Sequence, residues 1–252
     1  MLVLYFSGTG NSQFIATCFA QIMAAEVHSI EEDLEFGPLL GNNQTIAFVY
    51  PIYGSCVPMI MRQFVEERRE LLQGKKIIIF CTQALFSGDG ARVFTELLSG
   101  VSYSIVWAEH FRMPTNICNF PLLPLASPKK CKALGSRATT RLQQIGDSLR
   151  QGDVFKRGFS SFSKYLGFFT QRIYFARLEK KLRRGVRISS ACTVCQHCIE
   201  VCPMANLILK DDSNVQQKGN CTLCYRCVNQ CPSRAITVMT HGPVIRQYEW
   251  QD

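Results

Sequence analysis

Residues 2–12 read Leu-Val-Leu-Tyr-Phe-Ser-Gly-Thr-Gly-Asn-Ser, and the order of residue types in this stretch decides the fold. Five consecutive apolar residues suit a strand buried on both faces, as in a parallel sheet. Ser7, Gly8, Thr9 and Gly10 then turn the chain, and Asn11 and Ser12 open a helical pattern that runs to about Ala25. Chemically the turn is an anion cradle. Its glycines let backbone N–H groups converge, its hydroxyls add donors, and the helix start adds positive potential. It contains no Lys, so it is not a P-loop. A dinucleotide fingerprint would need glycine where Gln13 stands, although Glu31-Glu32-Asp33 follows at about the distance of a ribose-binding acid. That reading stays open, as does a tight turn without a ligand.

Outward from this stretch the pattern repeats. Residues 26–30, 45–50, 76–81 and 101–108 read as strands. Helical stretches run to about Leu72, over Ala91–Leu98 and over Pro128–Gln151. Strands alternating with helices predict an α/β doubly wound parallel sheet of five strands over residues 1–150. Ligands of such sheets sit outside the carboxyl ends of the strands. Two more loops leave that edge, Pro51-Ile52-Tyr53-Gly54 and Thr82–Gly90, and together the three loops suit a phosphate and a flat aromatic ring.

These loops resemble those of the flavodoxin-like family, which binds FMN. The resemblance implies strand order 2-1-3-4-5 and a phosphate held by Ser7, Gly8, Thr9, Gly10, Asn11 and Ser12. It implies a ring lined by Pro51, Ile52, Tyr53 and Gly54 together with Thr82, Gln83 and Phe86, with Tyr53 as the stacking partner. The third loop lacks the paired aromatic and acidic residues usual in short-chain flavodoxins.

The chain has 13 cysteines, eight of them between Cys192 and Cys231. Cys192-x2-Cys195-x2-Cys198-x3-Cys202-Pro203 recurs 29 residues later as Cys221-x2-Cys224-x2-Cys227-x3-Cys231-Pro232. This is the spacing of bacterial two-cluster ferredoxins, whose fourth Cys ligates the other cluster. Cys192, Cys195, Cys198 and Cys231 are therefore expected to hold one [4Fe–4S] cluster, and Cys221, Cys224, Cys227 and Cys202 the other. Two structural zinc sites are the competing reading, and they need neither the third Cys nor the Cys-Pro of each run. Leu207–Leu209 and Ala235–Met239 read as short strands covering the clusters, within a small α+β domain at 188–252. His197 reads as a solvent-facing filler. Cys18, Cys56, Cys81, Cys118 and Cys131 read as core thiols.

The charge is uneven. Residues 151–190 carry 10 basic and 2 acidic residues, nearly the whole formal net charge of +9. Within the connector (151–187), Phe155, Phe159, Phe162, Leu166, Phe169 and Ile173 form one helical stripe. Packing of this stripe against a domain is the favoured reading. A membrane-surface helix is possible but not favoured, and an acidic redox partner is a third reading. No nucleic-acid motif is present. The N-terminus has no basic leader and no run approaches 18 apolar residues, which predicts a cytoplasmic protein whose thiols stay reduced.

The whole chain resembles flavodoxin–ferredoxin fusion proteins of anaerobes. That implies an oxidoreductase of the electron-transfer kind, serving a redox partner protein or a small-molecule acceptor, with no side chain in an acid–base role. Two alternatives stand beside it. One is a reductase of a specific small molecule, its pocket walled by residues 110–125. The other is a ferredoxin whose flavodoxin-like half has lost FMN.

Overall fold

The first apolar run forms β1 (Leu2–Tyr5) in a computed structural model that describes residues 1–86, 88–211 and 213–250. Ser87, in the third loop, lies outside the described residues. β2 (Glu26–Ser29), β3 (Thr45–Pro51), β4 (Lys75–Gln83), β5 (Tyr103–Arg112) and β6 (Phe155–Lys156) complete one parallel sheet in the order β2-β1-β3-β4-β5-β6. Parity along the strands divides the core in two. Ile46, Phe48 and Tyr50 of β3 face one side, where they meet α2 (Phe36–Asn42), α3 (Met59–Arg68) and α4 (Gly90–Phe94). Ala47 and Val49 face the other, under α1 (Asn11–Met23) and α5 (Pro128–Gln151). The bounds of α5 follow from local chemistry. Ser127 accepts a hydrogen bond from Lys130 N at the N-cap, Pro128 opens the helix, and Gly152 closes it in the left-handed region.

The sheet has six strands where the sequence predicts five. Phe155–Lys156 adds to the edge because Phe155 packs on Trp107 of β5 (centroids 5.4 Å apart) and Arg157 reaches Glu109. Glu109 is 2% exposed and pairs with both Arg141 of α5 and Arg157 (2.6 Å each). One buried carboxylate thus ties β5 to the helix and to the start of the connector. Removing both arginines leaves it buried and unpaired, so Arg141→Ala/Arg157→Ala is expected to lower stability by about 3–5 kcal/mol in urea unfolding.

The connector departs from the expected single stripe. Phe155 joins the sheet, and the helix begins only at α6 (Ser161–Gly167), with Ser160 as N-cap. A π-helical turn at Phe168–Arg172 leads into α7 (Ile173–Arg183). The stripe packs on the α/β half through its first two residues, Phe155 on Trp107 and Phe159 against the core, and the helix that follows docks there through residues outside the stripe. Arg172 pairs with Asp89, which is fully buried, and Glu179 pairs with Arg62. The backbone of Gly167 lies so close to Asp89 that a methyl group there would overlap the carboxylate. Phe162 and Phe169 of the stripe face solvent.

The last segment forms a small domain. β7 (Arg187–Ile188) pairs antiparallel with β10 (Ile236–Thr237), and β8 (Leu207–Lys210) with β9 (Asn214–Gln217). The short helices α8 (His197–Glu200) and α9 (Arg226–Gln230) start 29 residues apart, so the repeat in sequence is a repeat in structure. Val186, Leu207, Tyr225, Val228, Ile236 and Val238 form its core. Among the described residues no helix is long and apolar enough to cross a membrane.

Candidate cofactor sites

The eight clustered cysteines fall into two groups that cross the repeat. Burial pushes the Cys198 thiol up to about 11, and the charges of Cys192, Cys231 and Cys195 push it the same way. Burial takes Cys224 to about 12, reinforced by Cys221 and Cys202. Cys202, Cys221, Cys224 and Cys227 line one cavity, with Val186, Leu207 and Val238 around them. Each fourth cysteine therefore stands with the other motif's triplet. Among the described residues no three His, Cys, Asp or Glu side chains converge on a point for a single ion. Four cysteines in each group, three from one tight loop and the fourth from the other motif, are the donor set that a four-iron cube takes.

Backbone donors serve these sulfurs in matched pairs. Val194 N bonds Cys192 Sγ (3.4 Å) and Leu223 N bonds Cys221 Sγ (3.3 Å). Asn206 N bonds Cys202 Sγ (3.2 Å) and Ala235 N bonds Cys231 Sγ (3.3 Å). The loops reach this geometry through left-handed non-glycine residues, again 29 apart: Val194 and Leu223, Gln196 and Tyr225, Ala205 and Arg234. Such backbone costs on the order of 1–3 kcal/mol per residue and clusters at ligand clamps. N–H donors aimed at cluster sulfur are one of the levers that set a cluster's potential.

The second cavity, of about 290 Å³, lies at the carboxyl edge of the sheet. All predicted flavin-site residues line it except Gly10 and Phe86. Gly10, at the N-cap of α1 (φ 94°), turns its Cα toward Trp250. Phe86 is 45% exposed, and its carbonyl accepts from Gln171. The start of α1 has neither a side-chain cap nor an acidic residue in its first turn, which leaves its N–H groups for an anion. The Asn11 side chain is committed elsewhere: it donates to Pro114 O (2.9 Å) and accepts from Tyr248 Oη (2.6 Å). Its backbone N–H is the part available to a phosphate. Ser12 and Thr82 share a hydrogen bond of 2.8 Å that joins the first and third loops. Tyr53 Oη and Gln83 Oε1 are buried without a hydrogen-bond partner, and both residues line the cavity. Orphaned polar atoms at a cavity wall fit a polar ring system between them.

The remaining walls lie outside the three loops, and one of them falls in the 110–125 stretch expected to wall a pocket. Met113–Ile117 follow β5, which runs four residues beyond its predicted end. Phe175 of α7 packs against Gly54, and Leu223 and Met239 come from the cysteine-rich domain. The two halves share this wall. Cys224 O lies against Gly8 and also accepts from Asn116 Nδ2 (3.0 Å). Arg226 donates to Ser7 O (2.7 Å), Gly8 O (3.2 Å) and both Glu31 oxygens (2.7 Å each). Glu31 is thereby occupied by Arg226, which counts against its role as a ribose-binding acid. Arg226 sits inside the second cysteine motif, and only a charge between metal ligands hints at it in sequence. Arg226→Ala strips the fork from Glu31 and from two loop carbonyls. It is expected to cost about 2–5 kcal/mol, read as a lower midpoint of thermal unfolding. Arg226→Lys is expected to recover little, because a point charge cannot reproduce the fork.

Of the scattered thiols, Cys81 and Cys56 are buried and Cys18 and Cys118 pack against core clusters, whereas Cys131 of α5 lines an open cavity instead of the core. Burial raises Cys81 to about 12 and Cys56 to about 11, and Cys18, Cys118 and Cys131 are half-buried. His197 is exposed beside Glu200 (3.7 Å).

Residues 2–105 match the model of a flavodoxin domain, and residues 184–232 match that of a 4Fe–4S dicluster domain. The chain joins the two in the arrangement of a flavodoxin–ferredoxin fusion. A flavodoxin domain implies FMN and a dicluster domain implies iron–sulfur clusters, and the two matches together support an electron-transfer role. Among solved structures it is similar to the Megasphaera elsdenii flavodoxin, with 23% identity over 56% of this chain and 99% of that one (TM-score 0.40). It is also similar to Flavodoxin 2 from Bacillus cereus, with 15% identity over 60% and 97% (TM-score 0.42). A WrbA-like flavodoxin from Agrobacterium tumefaciens gives 18% identity over 60% and 98% (TM-score 0.42). No curated protein matches the chain.

Proposed function

We propose a flavo-iron–sulfur carrier in which electrons pass between two [4Fe–4S] clusters and a bound FMN. One observation carries the reading: the Cys221–Cys227 loop is itself a wall of the flavin cavity, through Leu223, and its Cys224 and Arg226 lie on the phosphate loop. When bound, the clusters exchange electrons singly and FMN takes one or two, which supplies the redox chemistry. Cys192, Cys195, Cys198 and Cys231 hold the outer cluster. Cys221, Cys224, Cys227 and Cys202 hold the one beside the cavity. Ser7, Thr9 and the N–H groups at the start of α1 hold the phosphate, while Pro51–Gly54, Thr82 and Gln83 hold the ring. The half-buried Tyr53 has its hydroxyl oxygen buried and pushed well above its ordinary range, by burial first and then by Cys224 and Cys221. It stays protonated there and serves as a neutral wall. The outer cluster lies nearer solvent, since Cys195 is exposed, and faces the partner.

Anaerobically reconstituted protein is expected to show flavin absorption and about eight irons per chain, from four per cube. Flavin absorption without iron, or iron without flavin, overturns the relay. Residues 113–117 favour a second reading, because they wall the cavity above the loops as a substrate pocket would. Steady turnover of a quinone or nitro compound by the isolated protein would select that reading.

A further inference from the structure

The connector helix is docked by a side of mixed character, with a glycine, an amide, an aromatic ring and a carboxylate in succession. Gly167 abuts Asp89, and Gln171 bonds Ser55 Oγ (2.8 Å) and Phe86 O (3.0 Å). Phe175 packs on Gly54, and Glu179 pairs with Arg62. These four recur at every fourth residue, a spacing at which a plain α-helix drifts by about 40° per step. The π-helical turn at Phe168–Arg172 takes up one extra residue and turns the phase back by about 100°. The docked side stays continuous as a result.

The same correction aligns the opposite side. Phe162 and Tyr165 before the turn and Phe169 within it share an arc of about 120° with Tyr174 and Leu178 after it. All five are exposed, Phe162 by 75% and Tyr174 by 61%. Tyr165 and Phe169 are stacked (6.3 Å), with Phe168 edge-on to Phe169 (5.2 Å). Arg177, Lys181 and Arg184 fall on the same arc and are exposed. Of the two acids in residues 151–190, Glu179 is turned inward to Arg62, so the solvent side of this helix is aromatic and cationic without a carboxylate. A soluble domain ordinarily turns such aromatic residues inward.

We propose that this face lies on an anionic lipid surface, with the helix in the plane of the headgroups, the aromatic rings below it and the basic side chains at the phosphates. Aromatic residues interleaved with Arg and Lys suit that interface. A second copy of the chain would set one cationic face against another and repel it. An acidic protein would answer the charge but leave the row of rings without a role, since transient redox contacts are small and polar. This inference stands independently of the relay.

The test is flotation of the holoprotein with neutral phosphatidylcholine vesicles and with vesicles of roughly one-third phosphatidylglycerol. Binding to the anionic vesicles is expected to be stronger by about tenfold or more, and to fall with added salt. Phe162→Ser/Phe169→Ser and Arg177→Gln/Lys181→Gln are each expected to lose about tenfold, with flavin and iron contents unchanged. No binding to anionic vesicles overturns the proposal, as does equal binding to both kinds. So does a dimer, or a complex with an acidic electron carrier, that Phe162→Ser/Phe169→Ser abolishes while vesicles go unbound.

Discussion

Cys202→Ser and Cys224→Ser, made together, are expected to leave about four irons per chain, the same as either alone. Cys202→Ser with Cys195→Ser is expected to leave almost none. The asymmetry follows from crossed ligation: Cys202 stands with Cys221, Cys224 and Cys227, and Cys231 with Cys192, Cys195 and Cys198. If each motif closed its own cube, the two double variants would exchange results. Iron determination on anaerobically purified protein decides it, with cubes contributing about four irons each. Serine is close to cysteine in size, so the effect is one of ligation rather than of packing.

Gly8→Ala is expected to separate the halves. A methyl group on Gly8 would overlap Cys224 O and come within 3.1 Å of Cys224 Cβ. Both sides of that contact are main chain: one is the phosphate loop fixed between β1 and α1, the other a cysteine loop fixed by its sulfurs. Neither can give way as the end of a flexible side chain would. Overpacking of this kind costs about 1–3 kcal/mol, which is up to about a hundredfold in flavin affinity. The expected readout is loss of bound flavin and faster proteolysis in the connector. Gly37→Ala, with nothing within 4 Å of the added group, is the control and is expected to leave both unchanged. Gly8→Ala with normal flavin content would show that the interface is softer than its geometry.

The sheet and the paired cysteine runs were legible in sequence because each rests on local pattern. Apolar runs such as Ile77–Cys81 and a turn such as Ser7–Gly10 carry their own instructions, and cysteine spacing carries chemistry. β6 was not legible: two residues at an edge have no period, and only Trp107 and Glu109, some 50 residues earlier, draw Phe155 and Arg157 into place. The docking of the halves was hidden for a different reason. It runs largely through main-chain carbonyls, those of Ser7, Gly8, Asn116 and Cys224 among them, which no side-chain pattern records, and through one arginine between metal ligands. The connector shows the limit of periodicity most clearly. A stripe at helical spacing tells that a face exists and is silent on which way it points. Here the docked side is made by Gly167, Gln171, Phe175 and Glu179, none of which lies on the stripe.

The Arg226 clamp has a kinetic consequence. Two separate carriers meet by diffusion, and the rate of exchange falls in proportion as either is diluted. Here the fork on Glu31 and on the carbonyls of Ser7 and Gly8 keeps the cysteine loop at the cavity wall. The encounter is already made, at an effective concentration set by the docked interface rather than by the number of molecules in solution. Under the proposed relay, internal transfer is then first order and indifferent to dilution, and only delivery to the external partner depends on concentration.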